Sequence, residues 1–235
     1  MTKFELLSKT KIGAYYHVKE TSVAMLNALR RTISNNLPSF AIDEVTFFEN
    51  SSALFNEYLA HRLALIPLKF DANASPDVKV TFSLEATGPT VVYSKDLKSS
   101  DEKISPALPH IPIIVLGENQ SIRLEAVAIR GIGRQHAKFQ NSHASYSHYP
   151  ELKVKGSKTE AFKVLPKGTV DENCKIINPT KLDVGQFSKD VLVTPKEGEF
   201  IFFVESYNRE NPEELLQRAL LTLMEKTDEL KSELK

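Results

Sequence analysis

Glu57 and His61 stand four residues apart, with Arg62 next in line. On a helix that spacing puts a carboxylate and an imidazole on one face, as general acid–base work or a metal site would require. No second histidine or carboxylate follows at the next turn in the HExxH manner, and two ligands hold a metal poorly, so a structural or contact role is expected. Gly131-Ile132-Gly133-Arg134-Gln135-His136-Ala137-Lys138-Phe139 is the one glycine-rich basic loop. It lacks the third glycine of a dinucleotide fingerprint and the Gly-Lys-Ser/Thr ending of a phosphate-binding loop. It also follows an alternating strand, where a phosphate cradle would need a buried parallel strand opening into a helix. The alternative reading it leaves is a stand-alone enzyme on a phosphorylated or nucleotide substrate, with His61 or His136 as base. That enzyme would need a carboxylate or nucleophile placed beside the base, and the sequence places none. His110, His136, His143 and His148 lie in irregular chain with Cys174 as the only cysteine, which falls short of any structural zinc spacing. No metal and no cofactor are expected.

The elements that must position these residues can be read from period and punctuation. Phe4 to Lys9 and Ile12 to Lys19 are β-prone runs forming an opening hairpin. Thr21 or Ser22 caps a helix from Val23 to Leu37, in which Leu26, Leu29, Ile33 and Leu37 recur at steps of three and four. Pro38 ends it, because the residue before a proline is pushed out of the α region. A strand from Phe40 to Glu49, a turn at Asn50 to Ser52, and a helical run stopping at Pro67 follow. Val78, Val80, Phe82, Leu84 and Ala86 alternate strictly, as do Ile122, Leu124, Ala126 and Ala128, so each predicts a strand with one buried face. Asp96 to Pro109, Ser142 to Thr159 and Pro166 to Phe187 carry no usable period and are expected as loops. Val191 to Thr194 and Glu199 to Ser206, joined at Pro195 to Gly198, predict a hairpin.

The chain closes on its strongest helix. Asn211 caps it, Pro212 suits the first helical position, and Glu213 and Glu214 complement the positive end of the dipole. Leu216, Leu220, Leu223, Thr227, Leu230 and Leu234 advance by alternating fours and threes, an a/d seam that calls for a partner helix.

Bulk composition narrows the classes. With 235 residues and 41% apolar content, one large core or two modest ones can form. Thirty basic and thirty acidic residues cancel, which argues against electrostatic capture of a nucleic-acid backbone, as does the absence of interleaved basic and aromatic residues. A nucleic-acid-binding β domain is therefore disfavoured, and no sequence-specific DNA contact is expected. No apolar run approaches the roughly 20 residues of a membrane span, and no leader pattern opens the chain, so a cytoplasmic location is expected.

Three blocks carry a family resemblance: Asn27-Ala28-Leu29-Arg30-Arg31-Thr32-Ile33, then Ala41-Ile42-Asp43-Glu44-Val45, then Glu57-Tyr58-Leu59-Ala60-His61-Arg62-Leu63-Ala64-Leu65-Ile66-Pro67-Leu68. In this order and near this spacing they resemble the alpha-type subunits of cellular RNA polymerases, most closely the archaeal members of that family. The third-largest subunit of eukaryotic RNA polymerase II and the bacterial alpha N-terminal domain are related. Ala64 stands where the family usually carries glycine. Some archaeal members hold iron–sulfur clusters in an added cysteine-rich domain, which a chain with Cys174 alone does not have.

The resemblance implies an α+β fold: a discontinuous dimerization domain of residues 1–48 and 190–235, an antiparallel sheet crossed by two helices, with an inserted mostly β domain of residues 49–189. It implies a non-catalytic assembly subunit of DNA-directed RNA polymerase, a nucleotidyltransferase complex whose active-site metal belongs to the largest subunit. The partners implied are a smaller alpha-like subunit (subunit L), the two large catalytic subunits, and small subunits N and P. The dimer interface would use Leu26, Leu29, Ile33, Leu216, Leu220, Leu223, Thr227 and Leu230. The large-subunit interface would use Arg30, Arg31, Glu57, His61, Arg62, Gly131, Gly133, His136 and Lys138.

Overall fold

The computed structural model describes residues 2–234. In chain order the elements are β1 (Lys3–Lys9), β2 (Gly13–Lys19), α1 (Val23–Asn35), β3 (Pro38–Asn50), α2 (Asn56–Ala64), β4 (Val80–Thr87), β5 (Thr90–Tyr93), β6 (Lys98–Ser99), β7 (Pro112–Leu116), β8 (Ser121–Ile132), β9 (Ser142–Val154), α3 (Lys158–Val164), β10 (Gly185–Ser188), β11 (Val191–Ser206) and α4 (Pro212–Glu233). This is an α+β chain, and its strands form antiparallel pairs.

The chain divides into two compact units, Met1–Arg30 with Ala144–Val204, and Arg31–His143 with Glu205–Lys235. The first holds a five-stranded sheet ordered β1-β2-β11-β10, with β9 also paired to β11. Val191 and Val193 of β11 turn one face of that sheet toward Ala161 and Leu165 of α3. The second holds a four-stranded sheet ordered β3-β8-β4-β6 and the two-stranded β5-β7. Alternation along β4 and β8 does what the period predicts: Val80, Phe82, Leu84, Ile122, Leu124, Ala126 and Ala128 are all buried on one face. Leu59 and Leu63, one turn apart on α2, close that core together with Phe40 and Ile42.

Several expectations change in the structure. Helix α1 stops at Asn35, and Leu37 lies outside it, held by an N–H to the Thr32 carbonyl at 3.2 Å. Ser142 to Thr159 is no loop: β9 and α3 occupy most of it. Its His, Ser and Tyr residues give no hydrophobic rhythm, and pairing with β11 supplies the order. Pro166 to Phe187 is irregular except for a short 3-10 turn and the start of β10. The hairpin expected within 191–206 is a single strand, β11. Gly198, at φ +70°, lies inside this strand, and the chain does not reverse there. The reversal lies earlier, between Ser188 and Val191, where β10 meets β11. Strands β9 and β10, from the stretch expected as insert, thus belong to the same sheet as β1 and β2.

Candidate functional site

The glycine loop shows how locally the sequence builds a surface. Strand β3 carries a bulge at Asp43, since Ile42 faces Ala128 and Glu44 faces Val127 with Asp43 left over. A bulge re-aims the extra side chain. Asp43 here reaches Lys138, with the ammonium and carboxylate in direct contact, and the lysine also lies 5.2 Å from the Phe139 ring centre. Gly131 and Gly133 are needed for packing. A Cβ on Gly131 would fall 2.5 Å from the Phe139 ring, and one on Gly133 would fall 2.6 Å from the Ser34 carbonyl oxygen at the end of α1. The loop is then tied down by the Arg134 N–H to the Asn35 carbonyl at 2.8 Å, the Gln140 amide to the Asn35 side chain at 3.0 Å, and the Ser39 hydroxyl to the Phe139 carbonyl at 2.6 Å. His136 is exposed, and its Nδ1 accepts the Lys138 N–H at 3.1 Å. The space a phosphate cradle would need between these glycines is filled by Phe139 and by the backbone of α1.

Helix α2 presents a second surface. Glu57 and His61, four residues apart on this helix, are both exposed, while Arg62 is half-buried. Its guanidinium donates to the Pro112 carbonyl at 2.6 Å and lies 6.0 Å from the Tyr58 ring. Arg62 therefore joins α2 to β7. Phe55, Tyr58 and Leu65 are exposed around it, an apolar rim that sequence reasoning missed. The available signal was that only Leu59 and Leu63 form the inward stripe of this short helix. The structure thus brings Gly131, Gly133 and Lys138 together with Asp43, while α2 forms its own patch beside β7. Arg31 is exposed, and Arg30 is held against the Asn27 side chain at 3.0 Å.

The seam on the terminal helix is split. Asn211 caps α4 by accepting the Glu213 N–H at 3.3 Å, and Pro212 sits at the first turn. Pro212, Leu215, Leu216 and Ala219 are buried, Leu220 and Leu223 are half-buried, and Thr227 is exposed. Beyond the first turns the apolar residues stand in solvent: Leu221 is 57% exposed, Met224 61%, Leu230 57% and Leu234 79%. Helix α1 requires a correction. Leu26, Leu29 and Ile33, expected on a dimer face, are each only 1% exposed within this chain. Its steps of three and four describe an inward stripe, and the apolar residues α1 leaves bare are Val23 and Met25.

The five-stranded sheet carries a charged ladder absent from the sequence expectations. His17 Nε2 lies 2.7 Å from Glu199, whose other oxygen meets Lys196 at 2.6 Å, and Tyr149 stacks on the imidazole at 4.0 Å between ring centres. Burial pushes the Glu199 carboxyl up, but the hydrogen bonds from Lys196 and His17 outweigh it and hold the group below the usual range. Among the described residues no group of three or more His, Cys, Asp or Glu is placed to hold a metal ion. No helix among them is long and apolar enough to cross a membrane.

Comparison with known proteins fits the blocks at Asn27 to Leu68. Residues 45–149 match the family described as the RNA polymerase Rpb3/RpoA insert domain. The chain is 36% identical to DNA-directed RNA polymerase subunit Rpo3 of Pyrococcus horikoshii, over 100% of this chain and 98% of that protein. It is 38% identical to Rpo3 of Thermococcus kodakarensis, again over 100% and 98%. Against Rpo3 of Halobacterium salinarum the identity is 35%, over 96% of this chain and 94% of that protein. An identity of this size along the whole length, together with the insert-domain match over residues 45–149, means that this chain belongs to the Rpo3 family of DNA-directed RNA polymerase subunits.

Proposed function

We propose that the chain is a non-catalytic assembly subunit of DNA-directed RNA polymerase, pairing with a smaller alpha-like subunit of the subunit L kind through α4. The observation that carries this reading is the bare half of that helix. The second half of the a/d seam is uncovered, with Leu223 half-buried and Thr227, Leu230 and Leu234 exposed, and Leu221 and Met224 stand exposed on the flanking face. An apolar row of this kind marks an association site. Leu220, Leu223, Thr227 and Leu230 remain on the proposed interface, and Leu216, expected beside them, is buried within this chain at the base of the same seam. On α1, Leu26, Leu29 and Ile33 face inward, and Val23 and Met25 are the large apolar residues it leaves exposed.

The glycine loop with Lys138 and His136, and α2 with Glu57, His61 and Arg62, form the surfaces proposed for the two large catalytic subunits. Arg31 joins them as an exposed cation on α1. Small subunits N and P complete the platform in this reading, and the whole assembly is cytoplasmic. The same reading divides the chain into a dimerization domain of residues 1–48 and 190–235 and an insert of 49–189. It draws support from the insert-family match over residues 45–149.

Reconstitution tests the reading. Leu223→Asp with Leu230→Asp places two charges where a partner helix would bury them, and each unpaired buried charge costs several kcal/mol. The heterodimer with the smaller subunit should be lost on size-exclusion chromatography while the circular dichroism melt of the isolated chain stays close to wild type. Undiminished pairing would remove α4 from the interface.

A further inference from the structure

Helix α4 is anchored over its first turns only, so something there must decide where its bare half points. Apolar burial of Leu215, Leu216 and Ala219 holds the helix down but is non-directional and leaves rotation and tilt poorly fixed. Arg218 supplies direction. Its guanidinium pairs with Glu210 in the segment leading into α4, donates to the Pro38 carbonyl at 2.9 Å, and lies 3.8 Å over the centre of the Phe70 ring. A carboxylate, a carbonyl and a ring face are three constraints that only a planar fork of donors meets at once.

Two of the three, Phe70 and Pro38, are themselves tied to the four-stranded sheet. Phe70 is flanked by Phe40 of β3 at 5.9 Å and by Arg130 of β8 at 5.6 Å between the guanidinium and the ring centre. Pro38 begins β3 opposite Ile132, and the next residue, Ser39, holds the glycine loop through the Phe139 carbonyl. The same short piece of β3 is thus gripped by α4 through Arg218 and by the glycine loop through Ser39. We infer that Arg218 is a positioning residue that fixes the direction of α4, and with it the spacing between the bare helical seam and the glycine loop. The functional weight of that spacing rests on the assembly reading above, in which one platform must present both surfaces at a set separation.

The lever is long enough to measure. From Arg218 to Ser232 the helix rises about 21 Å at 1.5 Å per residue, so a tilt of about 10° moves its end by about 4 Å. Nitroxide labels at Ser232→Cys on α4 and Thr46→Cys on β3, in a full-length Cys174→Ser background, report the separation by pulsed dipolar spectroscopy. In the isolated chain Arg218→Met should broaden the distance distribution and shift it by about 4 Å. Arg218→Lys, which keeps an ion pair with Glu210 but loses the fork and the ring contact, should fall between. Phe70→Leu, which leaves Arg218 in place, should broaden the distribution in part and stands in should Arg218→Met fail to fold. A lowered melting temperature with an unchanged distance distribution in the folded variants would overturn the proposal, because stability alone would then be what Arg218 provides. Mixing the unsubstituted chain with the smaller alpha-like subunit is the separate arm. Failure to pair there would remove the assembly reading while leaving the spacing result standing.

Discussion

The glycine loop and the second half of α4 are both proposed contact surfaces, and they are built in opposite ways. In the loop, Gly131 and Gly133 are packed against Phe139 and Ser34, Lys138 is paired with Asp43, and the backbone is bonded to Asn35. It is finished before any partner arrives. Along α4 from Leu221 onward the apolar side chains have solvent where a packing partner would be. A finished surface loses little conformational freedom on binding and can be specific, whereas an unfinished one gains its affinity from the apolar area it buries. An assembly subunit is served by both: the apolar seam would commit the chain to its first partner, and the rigid loop would then present a fixed shape to the next.

The largest expected effect lies within α4 itself. Leu216→Ala opens a cavity among buried neighbours and should cost the isolated chain about 2–5 kcal/mol in urea unfolding. Leu230→Ala on the bare half should stay within about 0.5 kcal/mol of wild type. Equal losses would mean that the two halves are not distinct. The loop comes next. Gly133→Ala pushes a Cβ against the Ser34 carbonyl, 2.6 Å away, and backbone there yields poorly. A loss of about 1–3 kcal/mol is expected by thermal melting. Gly185→Ala, where nothing lies within 4 Å, is the matched control and should change little. If Gly133→Ala is as silent as its control, the loop is not the packed surface described.

The smallest effect asks whether charge contributes where packing does not, on the His17–Glu199 ladder. Because Glu199 is held below the ordinary glutamate value of 4.5, its contribution is present above that value and is lost as pH falls through the lowered one. The urea midpoint should therefore drop on acidification below about pH 4.5 more in wild type than in Glu199→Gln, with the two curves converging. Parallel curves would show the ladder to be energetically idle.

Period and punctuation carried much of the fold. Strict alternation placed β4 and β8, and the Asn211-Pro212 start with its heptad placed α4, because a single buried face writes its spacing directly into one segment. Where pairing came from a distant strand the signal was missing. Strand β9 has small and polar residues with no rhythm of its own, and β11 is continuous through a Pro-Lys-Glu-Gly stretch that reads locally as a turn. Among the candidate residues, Glu57 and His61 lie on one helix, four residues apart as read, and the structure adds that both are exposed. Leu26, Leu29 and Ile33, expected on a dimer face, are buried within this chain, since an apolar stripe says that a face is covered but not whether the cover is the same chain or another.

The sequence by itself determined the family, through three blocks whose order and spacing match alpha-type polymerase subunits, and it determined where α1 and α4 start, because caps and prolines act within a few residues. Only the tertiary structure decided which apolar residues remain for a partner. It also showed why both loop glycines are needed, what the bulge at Asp43 is aimed at, and how Arg218 brings together Glu210, Pro38 and Phe70. The division has a physical basis. Capping and periodicity are local interactions recorded in neighbouring residues, whereas burial, close approach and directional bonding depend on pieces of chain far apart in sequence, whose meeting no single segment records.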